Sequence, residues 1–285
     1  MIRDITLGQY YFADSTIHRM DPRTKIIGTF VYIASLFICK NIYVYAIAFA
    51  FLMLCIFLCK VPIKYICRGM KAITYILIIT MIFNMFFTRG ETVLWRWKAL
   101  VITLEGIRNA AFMASRLIML VVGCSIMTFT TMPSNLTDGL ESVMHPLKFI
   151  KVPVHEIAMM MSIALRFIPI LMEETDKIMK AQLARGADFE NGNIVKRVKN
   201  YIPVLVPLFV ASFRRANELT LAMESRCYRG GENRTRMKPL KYHKRDAVAY
   251  ITMFAYLGII ILLAIYLSPK DSTDAAALAG SINMQ

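Results

Sequence analysis

The sequence predicts an all-α membrane protein with about five transmembrane helices, two long helices on the cytoplasmic side and a short amphipathic helix. Its 285 residues are 57% hydrophobic and have a mean hydropathy of +0.51, whereas soluble domains are roughly 45–50% apolar. Yet the chain has 34 Lys and Arg against 19 Asp and Glu, a net charge of +15. A bundle buried wholly in lipid would not hold that charge, so the chain divides into apolar spans and a basic polar part.

Five apolar runs supply the predicted spans. The stretch from Ile26 to Cys59 has its clearest polar break at Lys40-Asn41. As one helix this stretch would reach about 50 Å, which is too long for a single crossing, so a helical hairpin is expected. The five predicted spans cover residues 26–39, 42–59, 72–87, 107–131 and 247–267.

The Lys and Arg of the loops predict the orientation. The loop at 60–71 is strongly basic, and short basic loops stay on the cytoplasmic side. The loop at 88–106 then lies outside, with Trp95 and Trp97 at the membrane interface. The predicted organisation is a cytoplasmic N-terminal segment (1–25), N-terminal transmembrane helices (26–133), a cytoplasmic module (134–246), a C-terminal transmembrane helix (247–267) and an outer tail (268–285).

Arg116 lies inside the fourth apolar run. An Arg at the centre of a span costs about 2.5–3.5 kcal/mol on insertion, and each Leu, Ile, Val or Phe returns about 0.3–0.6 kcal/mol, so the apolar residues of 117–129 can offset it. The guanidinium either faces the bundle or a partner protein, or it reaches along the helix to the membrane surface. Both interpretations remain open at this stage.

The segment 134–246 shows three helical patterns. A short helix over about 134–144 follows Pro133, and a long helix is predicted from His155 to Ala184. A second long helix is predicted from Pro203 to Tyr228, with Pro203 and Pro207 in its first turns, where proline is tolerated. The two long helices are too apolar to stand alone in water and too charged to be spans, so we expect them to pack along membrane helices or beneath a partner.

The two long helices end alike. One ends Ala184-Arg185-Gly186 and the other Ser225-Arg226-Cys227. In both, an Ala lies four residues before the Arg and an aliphatic residue seven before, on the same helix face. Small neighbours allow another surface to approach the guanidinium, whose rigid fork suits a carboxylate. The alternative is a structural role, with each cation stabilised by the negative end of its helix dipole.

Catalytic motifs are absent from the sequence. No Gly-Lys dipeptide occurs, so there is no phosphate-binding loop, and His155-Glu156 lacks the second His of a zinc protease. Glu173-Glu174 lacks the Arg that intramembrane prenyl-protein proteases carry four residues later. The six Cys form no metal-ligand spacing, and the basic charge follows the loop rule without need of nucleic acid. We expect no enzyme activity, no metal and no cofactor; a membrane-embedded enzyme is the alternative of another class.

Together with the two arginine ends, several tracts resemble the transmembrane T component of energy-coupling factor transporters, and most closely its shared type. The family carries two Ala-Arg-Gly-like motifs; Ala184-Arg185-Gly186 matches, and Ser225-Arg226-Cys227 departs but keeps a small residue beside the Arg. The other tracts that carry the resemblance are Gly8-Gln9-Tyr10, Asp14-Ser15, His18, Asp21-Pro22-Arg23, Thr130-Thr131-Met132-Pro133, Leu136 to Glu141, Arg166-Phe167-Ile168-Pro169 and Ala187-Asp188-Phe189.

The resemblance implies a multi-pass protein of the bacterial cytoplasmic membrane, with its N-terminus in the cytoplasm. It implies as partners two ATPase subunits and a membrane-embedded substrate-binding S component that carries vitamins or micronutrients. The two long helices would be coupling helices, with Arg185 and Arg226 each docking on acidic residues of one ATPase. A dedicated cobalt, nickel or biotin module of the same family is the alternative within transport.

Overall fold

The computed structural model describes most of the chain, and its elements are nearly all helical. The described residues are 10–39, 41–87, 93–97, 100–189, 193–231 and 239–282. The elements in chain order are α1 (Pro22–Ile38), α2 (Ile42–Cys59), α3 (Ile63–Phe87), β1 (Val93–Trp97), β2 (Leu100–Thr103), α4 (Leu104–Thr130), α5 (Pro133–Met144), a 3₁₀ helix (His145–Ile150), α6 (Val154–Ala184), α7 (Ile194–Ser225) and α8 (Lys244–Ile282).

The predicted all-α membrane class is confirmed. Four helices among the described residues are long and apolar enough to cross a bilayer, over Ile42–Cys59, Gly106–Thr130, Val154–Ala184 and Lys244–Tyr266, and α3 contains a shorter apolar stretch over Ile73–Met85. The helix α1, at 17 residues, is also short for a full crossing. By length and composition alone α6 therefore qualifies as a span, because it contains an 18-residue window with no more than two charged side chains, although the sequence analysis took this helix to be too charged.

The second long helix begins earlier than predicted. The helix α7 starts at Ile194 rather than Pro203 and ends at Ser225 rather than Tyr228. Proline in a helix interior removes one N–H donor and leaves a carbonyl without its intrahelical partner. Because Pro207 has no N–H, the Pro203 carbonyl is left over, and the side-chain amide of Gln182 on α6 donates to it at 3.4 Å.

Three other boundaries also differ from the prediction. The helix α3 begins at Ile63 and takes in part of the basic loop at 60–71. The expected loop at 88–106 contains the antiparallel strands β1 and β2; the side chains of Trp95 and Trp97 lie outside the described residues. The helix α8 continues to Ile282, so the expected tail is helical over most of its length. Residues 1–9 of the predicted N-terminal segment also lie outside the described residues.

The described residues divide into two compact units. One contains Leu140–Pro239 and the other contains Gly8–Gly139 with Leu240–Gln285. We call the first the long-helix unit and the second the bundle unit. The bundle unit has a continuous apolar core between α1, α2, α4 and α8, in which Leu36, Ala48 and Ile260 are fully buried.

Close packing in the bundle unit requires small residues. Gly123 on α4 lies against the ring of Tyr32 on α1, and a Cβ added there would come within 2.6 Å of that ring. Space of that kind has to be supplied by a residue without a side chain, because interiors are packed as densely as organic crystals.

Candidate functional site

The first arginine end closes α6 with a Schellman motif. Arg185 is the C-cap residue, and Gly186 follows in the left-handed conformation with φ +88°. The Gly186 N–H donates to the Leu183 carbonyl at 2.9 Å, and the Ala187 N–H donates to the Gln182 carbonyl at 3.0 Å. These two bonds satisfy carbonyls that a helix end leaves without a partner, so the backbone that carries Arg185 is fixed.

The second arginine end repeats this geometry without a glycine. Arg226 is the C-cap residue of α7, and Cys227 takes the left-handed conformation with φ +56°. The Cys227 N–H donates to the Glu224 carbonyl at 2.9 Å, and the Tyr228 N–H donates to the Met223 carbonyl at 3.1 Å. A non-glycine residue in this region costs roughly 1–2 kcal/mol, so the sequence departure at Cys227 preserves the turn at an energetic cost.

The side chains at the two ends match as the sequence predicted. Both guanidiniums are exposed, and neither has a hydrogen bond or ion pair with any described residue. Ala181 and Ala222, four residues back, are exposed too, whereas the aliphatic residues seven back are partly buried. Each end therefore presents an exposed cation with an exposed alanine four residues back on the same helix face.

The two arginine ends lie far apart on one antiparallel helix pair. The Glu174 carboxylate on α6 accepts a hydrogen bond from the Arg215 guanidinium on α7 at 2.8 Å, and the Gln182 amide contacts Pro203 near the start of α7. The end of α6 thus lies beside the beginning of α7. Since α7 rises about 1.5 Å per residue, Arg226 is about 35 Å further along it, which is enough for the two ends to contact two different proteins.

Arg116 faces the bundle. Its Nε donates to the Tyr45 hydroxyl at 3.1 Å, and one of its terminal nitrogens donates to the Cys39 carbonyl at 3.0 Å. Cys39 is the C-cap residue of α1 and is fully buried, so a cation on α4 satisfies a carbonyl at the end of α1. Of the two interpretations left open by the sequence, these contacts favour the inward-facing one, with a structural partner inside the chain.

A second cation, which the sequence reasoning missed, makes the reciprocal contact. The ammonium of Lys25, in the first turn of α1, donates to the Thr130 carbonyl at 2.8 Å and to the His18 carbonyl at 3.2 Å. Thr130 ends α4, so α1 and α4 each supply a cation to the other's C-terminal carbonyls. Lys25 sits just before the first apolar run, and in the sequence it is indistinguishable from an ordinary flanking lysine.

The N-terminal signature residues are held by one another. His18 Nδ1 is 2.7 Å from the Ser15 hydroxyl, and His18 Nε2 is 3.0 Å from the Tyr11 carbonyl; the Tyr11 N–H donates to the Phe129 carbonyl at 3.0 Å. Burial lowers the pKa of His18 below its ordinary 6.5, with the nearby Lys25 charge acting in the same direction and the Tyr11 carbonyl opposing it. Of this signature, Gly8 and Gln9 lie outside the described residues.

Asp246 joins the start of α1 to the start of α8. Its carboxylate is buried and accepts the Asp21 N–H and the His243 N–H, each at 2.8 Å. Asp21 in turn is the N-cap residue of α1 and accepts the Arg23 N–H. The conspicuous Asp21-Pro22-Arg23 tract therefore acts as a helix start anchored to α8. Among the described residues no group of three His, Cys, Asp or Glu is placed to hold a metal ion.

Comparison with known proteins gives consistent matches over most of the chain. The family model CbiQ, described as a cobalt transport protein, matches residues 13–237. An energy-coupling factor transporter transmembrane protein EcfT from Clostridium kluyveri is 52% identical over 267 residues, covering 93% of this chain and 99% of the relative. Proteins of the same name are 52% identical over 264 residues in Acidaminococcus fermentans, covering 93% of this chain and 97% of the relative, and 49% identical over 263 residues in Ruminiclostridium cellulolyticum, covering 92% and 98%.

Proposed function

The chain belongs to the family of energy-coupling factor transporter transmembrane proteins, and on that premise we propose that it couples ATP hydrolysis by two partner ATPases to vitamin or micronutrient uptake through interchangeable S components. In this proposal the chain hydrolyses no ATP itself. It spans the bacterial cytoplasmic membrane with its N-terminus in the cytoplasm, and the substrate is bound by the S component.

The observation that carries the proposal is the pair of matched arginine ends. Each guanidinium is exposed, stands on a fixed Schellman turn and has no partner among the described residues. A structural cation of a single chain has no need of an open approach over small side chains, whereas a docking cation does. We propose that Arg185 and Arg226 each form charged hydrogen bonds with acidic residues of one ATPase, and that Ala184, Gly186, Ser225 and Cys227 keep the approach open.

The helix pair would transmit the motion of the ATPases. The two arginine ends lie about 35 Å apart along α7, so each ATPase would hold one end. The ion pair between Glu174 and Arg215 is only about a third exposed on either side chain and links α6 to α7. A displacement at one end is then passed to the partner helix rather than absorbed by slippage between them.

A surface for the S component is available on α7. Ile202, Val206, Phe209 and Phe213 follow one another at helical spacing, and each is at least half exposed. Apolar side chains in such a row require cover by lipid or by another membrane protein. We propose the S component as that cover, and the chemistry of an apolar face allows one S component to replace another.

The test of the proposal is the double substitution Arg185→Gln with Arg226→Gln. A desolvated charged hydrogen bond is worth about 1.5–3 kcal/mol, so each substitution should weaken ATPase binding roughly 10- to 150-fold. The chain is co-expressed with the ATPases and an S component, and co-purification and uptake of the labelled vitamin are measured. Arg214→Gln, an exposed arginine in the middle of α7, is the matched control and should leave both unchanged. Full uptake by the double variant would contradict the proposal.

A dedicated cobalt, nickel or biotin module is the second candidate. The family model that matches residues 13–237 is described as a cobalt transport protein, whereas the relatives of about 50% identity are named as EcfT proteins. Co-purification in mild detergent distinguishes the two: several different S components on the same chain support the shared type, and a single metal- or biotin-binding subunit supports the dedicated one.

A further inference from the structure

An apolar cleft of about 400 Å³ lies within the bundle unit between α1, α2, α4 and α8. Gly28 on α1 and Ala249 on α8 contribute to its lining, and their small side chains leave the space open. A Cβ on Gly28 would meet only the Met253 sulfur, at 3.7 Å. Leu54 and Val248, which also line the cleft, are more than half exposed. The cleft is therefore open at the surface of the helix bundle that would face lipid.

Positive charge lies at one end of this cleft. Arg245, the second residue of α8, lines it directly.

A further cation lies inside the cleft. The Lys25 side chain is among the residues that line it and is 9% exposed. Its ammonium has three donors, and the carbonyls of Thr130 and His18 accept two hydrogen bonds from it. The cleft therefore has an apolar body that is open at the surface of the helix bundle. Its basic end lies where α1 and α8 begin and where α2 and α4 end.

We propose that this cleft binds one anionic phospholipid, with an acyl chain in the apolar body and the phosphate at the basic end formed by Lys25 and Arg245. An apolar slot between membrane helices suits an acyl chain, and basic pockets at the cytoplasmic side of such helices suit anionic headgroups. The chain's loop charges predict that this end faces the cytoplasm. A free phosphate would use the cations alone and leave the apolar body unfilled. The proposal does not depend on the proposed function.

The experiment uses the full chain reconstituted with equal amounts of phosphatidylglycerol and phosphatidylcholine, extracted in mild detergent and weighed by native mass spectrometry. The wild type should retain one phosphatidylglycerol, with a preference over phosphatidylcholine of roughly fivefold from the charge of Arg245. The variant Arg245→Gln should lose the preference. Ala249→Phe, which fills the cleft, should lose the bound lipid.

Matched controls separate the cleft from the general surface. Lys241→Gln removes an exposed cation that does not line the cleft, and Ile259→Phe enlarges an exposed residue of α8 outside it; both should retain the lipid as the wild type does. Thr252→Phe fills the cleft from a second position, and the melting temperature of each variant shows whether it is folded. Equal retention by folded Ala249→Phe and Thr252→Phe would overturn the proposal, as would displacement of the lipid by soluble glycerol phosphate.

Discussion

Substitution of Gly186 by alanine tests whether the left-handed turn holds the first arginine end. Nothing lies within 4 Å of the Cβ that alanine would add, so steric clash with neighbours plays no part. The cost is that of an L-residue at φ +88°, about 1 kcal/mol or somewhat more. An extra 1 kcal/mol raises the population of the open helix end about fivefold.

Hydrogen exchange measures this opening directly. The N–H groups of Gly186 and Ala187 are the donors of the Schellman motif, and in Gly186→Ala both amides at these positions should exchange about fivefold faster. The reciprocal change Cys227→Gly relieves a strained residue at φ +56°, so the amides at 227 and 228 should exchange more slowly. The expected result is faster amide exchange at the end of α6 in Gly186→Ala and slower amide exchange at the end of α7 in Cys227→Gly.

The matched control is Gly258→Ala in α8. Gly258 is helical and has open space around its Cβ position, so alanine there should stabilise by roughly 0.5–1 kcal/mol. Unchanged exchange at 186 and 187 in Gly186→Ala, together with the expected gain in Gly258→Ala, would refute the claim that the turn fixes the arginine. Uptake in the complex should fall in Gly186→Ala if the orientation of Arg185 matters for docking.

Two further predictions concern the bundle unit. Arg116→Met removes one hydrogen bond to the Cys39 carbonyl at the end of α1 and one to the Tyr45 hydroxyl on α2. It should lower stability by about 1–2 kcal/mol, less than in a soluble core because membrane hydrogen bonds are weaker on average. The melting temperature in detergent measures the loss, and Arg108→Met, which replaces an exposed arginine of the same helix, should change it less. The lowered pKa of His18 means that the unfolded chain binds a proton more readily, so stability is complete above pH 6.5 and falls as the pH drops through that value. His18→Gln should flatten the melting temperature between pH 7.5 and 5.5, and an unaltered pH profile in that variant would contradict the assignment.

The match between sequence and structure is closest where the argument is local. The bounds of α2 and α6 differ from the predicted 42–59 and 155–184 by at most a residue, because a polar break and a Gly stop specify them within a few residues of the chain. The likeness of the two arginine ends is also local, since spacing along a helix decides which residues share a face. The start of α7 is different, since the helix continues through Pro203 and Pro207, and the Pro203 carbonyl accepts a hydrogen bond from an amide on another helix.

By itself the sequence determined the membrane class, the approximate spans, the two arginine ends and the family, because apolar length and residue spacing are properties of the chain read in order. Tertiary structure decided the partner of Arg116, the reciprocal role of Lys25 and the cleft beside α8. These features bring together parts of the chain that are distant in the sequence. Arg116 and Tyr45, for example, are 71 residues apart, and the cleft is lined by more than two helices. A buried cation is costly until carbonyls reach it, and only the packing of one helix against another shows which carbonyls those are.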